Sequence, residues 1–466
     1  MAATKDLFAL NRRLFLGRNA AGLGAIALSA LGATAHANPV AHFAAKAKRV
    51  IFLYMSGGPS QFETFDNKPA LVRYDGQPMP ESVTQGQPIA QLQGRKLVCM
   101  APQFQFKRHG QSGQEISSVL PHIARQADEL CIIRSMHTDQ INHDPAHTVM
   151  NTGTPLTGRP SLGSWVLYGL GAETRDLPGF IVLTSFAGRS PQPISARQWH
   201  SGFLPGQYQG VPFRSKGSPV LYLDNPEGID RLRQRDTIDA VAALNGLGSE
   251  GADSEATTRV AQYEKAFRMQ SAVPELIDFR DEPKHVLDLY GTEGADGSFA
   301  ANCLLARRLA ERGVRFIQLY HRDWDHHNDL QMFMNICAKA TDQAAAALIQ
   351  DLRQRGMLED TLIVWSGEFG RTPMSQSGKG PQLGRDHHMR SFSLWMAGGG
   401  IRGGVTYGAT DELGYHAAEN PVHVHDLHAT MLHLLGMDHR QLTYRAQGRD
   451  FRLTDVAGQV LHPLIG

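Results

Sequence analysis

Three short segments concentrate carboxylates and imidazoles of the kind that hold divalent cations. Asp323-Trp324-Asp325-His326-His327 follows the apolar run Val314 to Tyr320; Asp325 with His327 is the leading ligand pair and Asp323 with His327 the second. Ser366-Gly367-Glu368-Phe369-Gly370-Arg371 follows the run Thr361 to Trp365, and its glycines leave Glu368 aimed outward as a ligand or base. Gly384-Arg385-Asp386-His387-His388 precedes the run Phe392 to Ala397 and adds Asp386 and His387 to the candidate ligands. The expected cofactor is a divalent metal ion. Carboxylate with neutral imidazole suits Zn, Mn or Fe, and the identity is left open among ions that include Zn, Mn and Ca. Arg371 and Arg385 carry planar guanidiniums that match a tetrahedral oxyanion, so both are catalytic candidates. A single His or Asp is usually structural, whereas three such clusters at strand boundaries point to one site.

Weaker candidates lie elsewhere. Ser56-Gly57-Gly58-Pro59 closes the first apolar run and could cradle an anion on its N–H groups, with Glu63 and Asp66 as further ligands. Asn142-His143-Asp144-Pro145 opens a short helical pattern ending near Gly153, which puts His143 and Asp144 where the helix dipole favours an anion. A structural helix start with Asp144 before Pro145 reads equally well. In His423-Val424-His425-Asp426, His423 and His425 stand at or before a helix start, and His425 joins the ligand candidates; His433, in an apolar stripe, reads as packing.

These residues need a sheet to bring them together. Strand-like runs recur at Arg49 to Met55, Leu130 to Arg134, Phe180 to Thr184, Val220 to Leu223, Val314 to Tyr320, Thr361 to Ser366 and Phe392 to Ala397. Helical patterns cover Ile116 to Ala127, Ile229 to Leu247, Thr257 to Gln270, Phe299 to Arg312, Asp329 to Gly356 (as one helix or broken) and Val424 to Leu435. The alternation predicts an α/β fold with a largely parallel sheet covered on both faces, and ligands gather outside the carboxyl ends of such strands. Asn67 to Gly113 and Ser185 to Ser218 read as long surface insertions. Without an internal repeat or linker, residues 38–466 are expected to form one domain.

The chain of 466 residues carries 46 Lys plus Arg against 45 Asp plus Glu, with no charged block to capture nucleic acid. Arg12-Arg13, an apolar run from Ala20 to Ala33 and Ala35-His36-Ala37 form a twin-arginine signal over 1–37, so the Tat translocase is an expected partner. The apolar run is too short and too glycine-rich for a bilayer span, and the mature chain is expected in the periplasm or outside the cell. Cys99, Cys131, Cys303 and Cys337 are widely spaced, and buried thiols are favoured over a disulfide framework. No dinucleotide or P-loop motif appears in strand-to-helix context.

Pro145, Thr152 and Gly153 resemble the sulfatase signature C/S-x-P-S-R followed by T-G. Asp426-Leu427-x-x-Thr430-Met431-Leu432 resembles the D-L-x-P-T-L-L helix of the same superfamily. With the export signal, W-D-H-H and G-E-F-G-R-T-P, everything after Ala37 resembles the sulfatase-like exported bacterial family DUF1501 of the alkaline phosphatase/sulfatase superfamily. The resemblance implies an alkaline-phosphatase-like three-layer sandwich and metal-dependent hydrolysis of a sulfate or phosphate ester, on a small molecule or carbohydrate. In that scheme Asp325, His327, Glu368 and His387 hold the metal, His143 or water attacks, and Arg371 or Arg385 steadies the oxyanion. The pattern departs at the position modified to formylglycine, which is His143, and at Ala146 and His147. It departs again where Ser56-Gly57-Gly58 replaces the usual paired aspartates. These departures favour an alternative, a catalytically inactive binding or assembly protein of the cell envelope.

Overall fold

The strand Arg49–Ser56 (β1) is buried along nearly its whole length, and its period of two sends side chains into two separate apolar layers. Ile51, Leu53 and Met55 meet the helices Phe299–Glu311 and Leu330–Gln354 on one face. Val50, Phe52 and Tyr54 meet the helices His143–Thr152, Leu162–Leu170 and Val424–Leu434 on the other. Ile317 and Leu319 face the first layer and Phe316 and Tyr320 the second; Ile363 and Leu362 divide in the same way. A strand apolar on both sides belongs in a sheet covered twice, and the fold is a three-layer α/β arrangement.

The computed structural model describes residues 41–466 apart from 189–190, 222, 226, 248–253 and 378–381. The expected leader over 1–37, with Arg12 and Arg13, lies outside the described residues. Among them, no helix is long and apolar enough to cross a membrane.

The remaining strands of the main sheet are Cys131–His137 (β2), Phe180–Phe186 (β3), Val211–Phe213 (β4), Phe316–Arg322 (β5), Thr361–Ser366 (β6), Phe392–Ala397 (β7), Val405–Tyr407 (β8) and Val422–His423 (β9). They are ordered β8-β2-β7-β6-β1-β5-β3-β4, with β9 also beside β2. All pairings among the described strands of this sheet are parallel except those of β7, which runs antiparallel to both β2 and β6. The start of β7 therefore lies at the same edge as the ends of β1, β2, β5 and β6.

Two expectations differ from the structure. Ile116 to Ala127 was expected to be helical, but Gln114–Ser117 pairs as a strand with Phe106–His109 and only Ile123–Glu129 coils, as a 3-10 helix; Pro121 falls between the two, and a proline there resists a continuous helix. Val220, Leu221 and Leu223, the described residues of the run Val220 to Leu223, are not in a strand: Val211–Phe213 takes the sheet edge, where Pro212 is tolerated. The helix expected over Asp329 to Gly356 is present as Leu330–Gln354, without a break.

Candidate metal centre

The end of β1 is tied through the backbone to the loop after β5, that loop to the hairpin strand Gly384–His388, and the end of β2 to the approach to β7. Trp324 N donates to Ser56 O at 3.1 Å, Arg385 N to His326 O at 3.1 Å and Thr138 N to Met389 O at 3.0 Å. Such close passage needs residues without side chains. Gly57 has φ 124°, and a Cβ there would lie 2.5 Å from Asp325 N; a Cβ on Gly384 would lie 2.0 Å from the carbonyl carbon of His327. The loop after β5, the turn after β1 and the hairpin Gly370–Ser377/Gly384–His388 are thus locked against one another.

Within that lock, one ligand atom each from His143, Asp325, His327 and His387 lie within 4.8 Å of one another. Asp325 is the hub. Its Oδ1 is 2.8 Å from His327 Nε2, 3.2 Å from His387 Nε2 and 2.5 Å from Arg371 Nη2. Its Oδ2 accepts from Gln192 Nε2 at 2.7 Å and lies 3.3 Å from His143 Nε2. A second group, His143, His147 and Glu368, adjoins the first through His143. Glu368 is fully buried and accepts from Gly57 N at 3.0 and 3.1 Å, and its Oε1 lies 2.6 Å from His143 Nδ1. His147 Nδ1 lies 2.8 Å from Tyr54 Oη and 3.5 Å from Glu368, and its Nε2 lies 3.3 Å from Ser56 Oγ. The ring of Phe369 packs on both His143 and His387.

The outer partners fix which nitrogen of each ring carries the proton. His387 Nδ1 faces the carbonyl of Ile141 at 3.0 Å, which can only accept. His143 Nδ1 faces the Glu368 carboxylate, and His327 Nδ1 faces Gln376 Oε1, whose amide nitrogen donates to Gln91 Oε1 at 2.7 Å. Each neutral ring therefore holds its hydrogen on Nδ1 and turns its Nε2 lone pair toward Asp325. His143 Nε2 is buried beside Asp325 Oδ2.

Electrostatics agree with a place for positive charge. Burial opposes ionisation of Asp325, but Arg371 and then the three imidazoles hold its pKa far below the ordinary range. Burial alone would lower the pKa of His143; the carboxylates of Asp325 and Glu368 instead raise it to about 9. His387 goes the other way, to about 4, because burial outweighs Asp325 while Arg371 and His143 add repulsion. Burial likewise opposes ionisation of Glu368, but His147 and His143 keep its pKa lowered.

Several expected site residues point elsewhere. Arg385 is fully buried against Glu63, with Nη2–Oε1 at 3.0 Å, and donates to the carbonyls of Thr372, Met100 and Ala101. Neither residue reaches the cluster. Arg371 is buried too; its guanidinium donates to the carbonyls of Gly57, Gly58 and Arg385 and to Asp325, so it braces the hub instead of facing a substrate. Asp66 accepts from Thr410 at 2.6 Å and pairs with Lys68. Asp386 accepts from the backbone of Gln91, Leu92 and His387. Asp144 sits at the surface with Arg197, and His425 Nε2 meets Gly153 O at 2.6 Å. Asp323, at φ 103°, packs its carboxylate under Gly188. Gln192, Gln91, Gln376 and His147 touch the site without having been singled out as site residues from the sequence. For His147, the i, i+4 spacing from His143 on one helix was a usable signal.

No curated protein matches the sequence. Among solved structures, the chain is similar to a protein in the alkaline phosphatase superfamily from Vibrio parahaemolyticus, at 11% identity and a TM-score of 0.35, over 90% of this chain and 76% of that one. It is also similar to the phosphonate monoester hydrolase SpPMH from Silicibacter pomeroyi (12%, TM-score 0.32, covering 74% and 71%) and to the PsFucS1 sulfatase from Pseudoalteromonas sp. (12%, TM-score 0.34, covering 84% and 68%). Superposition at those scores is partial, and nothing about a substrate follows from it. The family described as "Protein of unknown function (DUF1501)" matches residues 47–465, nearly the whole described chain, and this protein belongs to that family.

Proposed function

We propose that the chain is an exported, metal-dependent hydrolase of the sulfatase/phosphatase type, acting on a sulfate or phosphate ester of a small molecule or carbohydrate. One divalent ion is held by His143, Asp325, His327 and His387. The observation that carries this reading is the convergence of the Nε2 atoms of three imidazoles on one carboxylate. Their Nε2 atoms lie 2.8–3.3 Å from its two oxygens, and a cation among them would take the lone pair of each neutral ring. Three nitrogens and one carboxylate suit Zn, Mn or Fe; Ca, which takes six to eight oxygens, fits poorly.

The chemistry that a bound divalent ion supplies is Lewis acidity toward ester oxygens and toward water. The chain's own residues prepare for it. Arg371 balances part of the charge on Asp325 and fixes its orientation. Phe369 covers the His143 and His387 rings and keeps bulk water from that side. Both nitrogens of His143 are engaged, one by Glu368 and one by the cluster, which leaves water as the attacking group. The twin-arginine signal supports assembly in the cytoplasm followed by passage through the Tat translocase to the periplasm or beyond.

A second reading, a metal-binding but catalytically inactive protein of the cell envelope, is favoured by one observation. Both expected oxyanion clamps, Arg371 and Arg385, are turned inward and saturated by carboxylates and backbone carbonyls. Metal analysis of the mature chain, followed by assays with 4-nitrophenyl phosphate and 4-nitrophenyl sulfate, separates the readings. The proposal expects hydrolysis that a chelator and Asp325→Asn both abolish. A metal-loaded chain inert toward both esters favours the second reading, and a chain that binds no metal removes both.

A further inference from the structure

We infer that the centre holds one ion, not two, and that Glu368 is a positioning residue for His143 and not a ligand. The inference rests on the proposed metal centre and deepens it. The two ligand groups share His143, but through different nitrogens: Nε2 turns to Asp325 and Nδ1 to Glu368. A neutral imidazole carries one proton, and the nitrogen 2.6 Å from a carboxylate keeps it. That proton leaves Nε2 as the lone pair for an ion beside Asp325 and closes Nδ1 to a second ion.

The rest of the second group is saturated as well. Both oxygens of Glu368 accept from Gly57 N, and the carboxylate is fully buried. His147 is fully buried with its nitrogens facing Tyr54 Oη and Ser56 Oγ. An ion there would displace these hydrogen bonds without gaining water as a ligand. A carboxylate behind a ligating histidine instead fixes its ring and raises its basicity. Ile141 O behind His387 and the Gln376–Gln91 amide pair behind His327 do the same with neutral acceptors. Among the described residues, the group behind His143 is charged and those behind His327 and His387 are neutral, so the share of the ion's affinity carried by His143 depends most on its support.

The test is titration of the full mature chain and of Glu368→Gln with Zn²⁺ by calorimetry and with Co²⁺ by visible absorption, with circular dichroism to verify folding. The glutamine retains a carbonyl that accepts from Nδ1 but loses the charge. The inference expects one equivalent in both proteins, the same Co²⁺ band positions, and an affinity lower by roughly 10–100-fold in the variant. Two equivalents falling to one in Glu368→Gln, or an unchanged affinity, overturns it while leaving a metal centre in place. If the unaltered chain takes up neither ion, the proposed centre falls with it. Should Glu368→Gln not fold, ¹⁵N chemical shifts of the His143 ring in the unaltered chain decide: a proton on Nε2 in the Zn²⁺-free neutral ring contradicts the inference.

Discussion

Arg385 and Glu63 were candidates for clamp and ligand, yet they form a pair with both side chains wholly out of water. Glu63 also accepts from Gln103 N at 3.2 Å, and Phe62 stacks against the guanidinium at 4.7 Å. Such a pair need not add net stability, but removing one partner leaves an uncompensated charge in the interior. Glu63→Gln is expected to destabilise the chain by roughly 3–5 kcal/mol in urea unfolding while the metal stoichiometry of the remaining folded protein is unchanged. A stable variant with lost metal would return Glu63 to the site. The contrast with Asp325 is instructive at this scale, since both carboxylates meet an arginine but only Asp325 also faces three imidazole lone pairs. Residue type alone could not separate them, because both follow a strand by a short distance.

Adjacent residues diverge because strand geometry divides them. Asp386 and His387 are neighbours in the strand Gly384–His388, so their side chains leave on opposite faces; one caps the backbone near Gln91 and the other reaches Asp325. The irregular register of that hairpin further turns Arg385 away. The central strands, the long helices and the Asp325, His327 and His387 grouping were legible because apolar periodicity and strand-end clustering are local signals. Gln192, Gln91 and Gln376 were not, because a glutamine carries no signal of its own: the folded insertions bring Gln91 and Gln192 near, and the hairpin strand Gly370–Ser377 brings Gln376. Gly384 shows how the elements are held: its missing side chain lets the hairpin lie on His327. Gly384→Ala should push the hairpin off the loop 323–329 and weaken Zn²⁺ binding by roughly 10–100-fold, as other losses of ligand orientation do. Unchanged binding in a folded variant would show that the contact does not set the His327–His387 spacing.

Across the whole molecule, the two apolar layers bury imidazoles that the centre does not use. His321 Nδ1 accepts from Trp324 Nε1 at 2.9 Å, and His428 Nε2 donates to Met150 O at 2.9 Å. Burial, with repulsion from His326 and His425 respectively, lowers both to about 3. Protonating His321 would also set a ring N–H against the indole N–H. Since each pKa is depressed on folding, the unfolded chain takes up the proton first, and stability present above the ordinary histidine pKa of ~6.5 is lost as pH falls toward 3. Each ring should remove about 1.4 kcal/mol per pH unit once the pH is well below ~6.5. Urea unfolding between pH 7 and pH 4 checks this, and replacing His428 by Gln should flatten the slope; an unaltered slope would mean that other groups govern acid unfolding.

The account depends most on one cation coordinated by three imidazoles and one carboxylate. X-ray absorption on the Zn²⁺-loaded full chain tests it directly. A shell of three imidazole nitrogens and oxygen at roughly 2.0–2.1 Å, with the imidazole signal reduced in His387→Ala, is the predicted result. A spectrum without imidazole scattering, or one indifferent to His387, would contradict it.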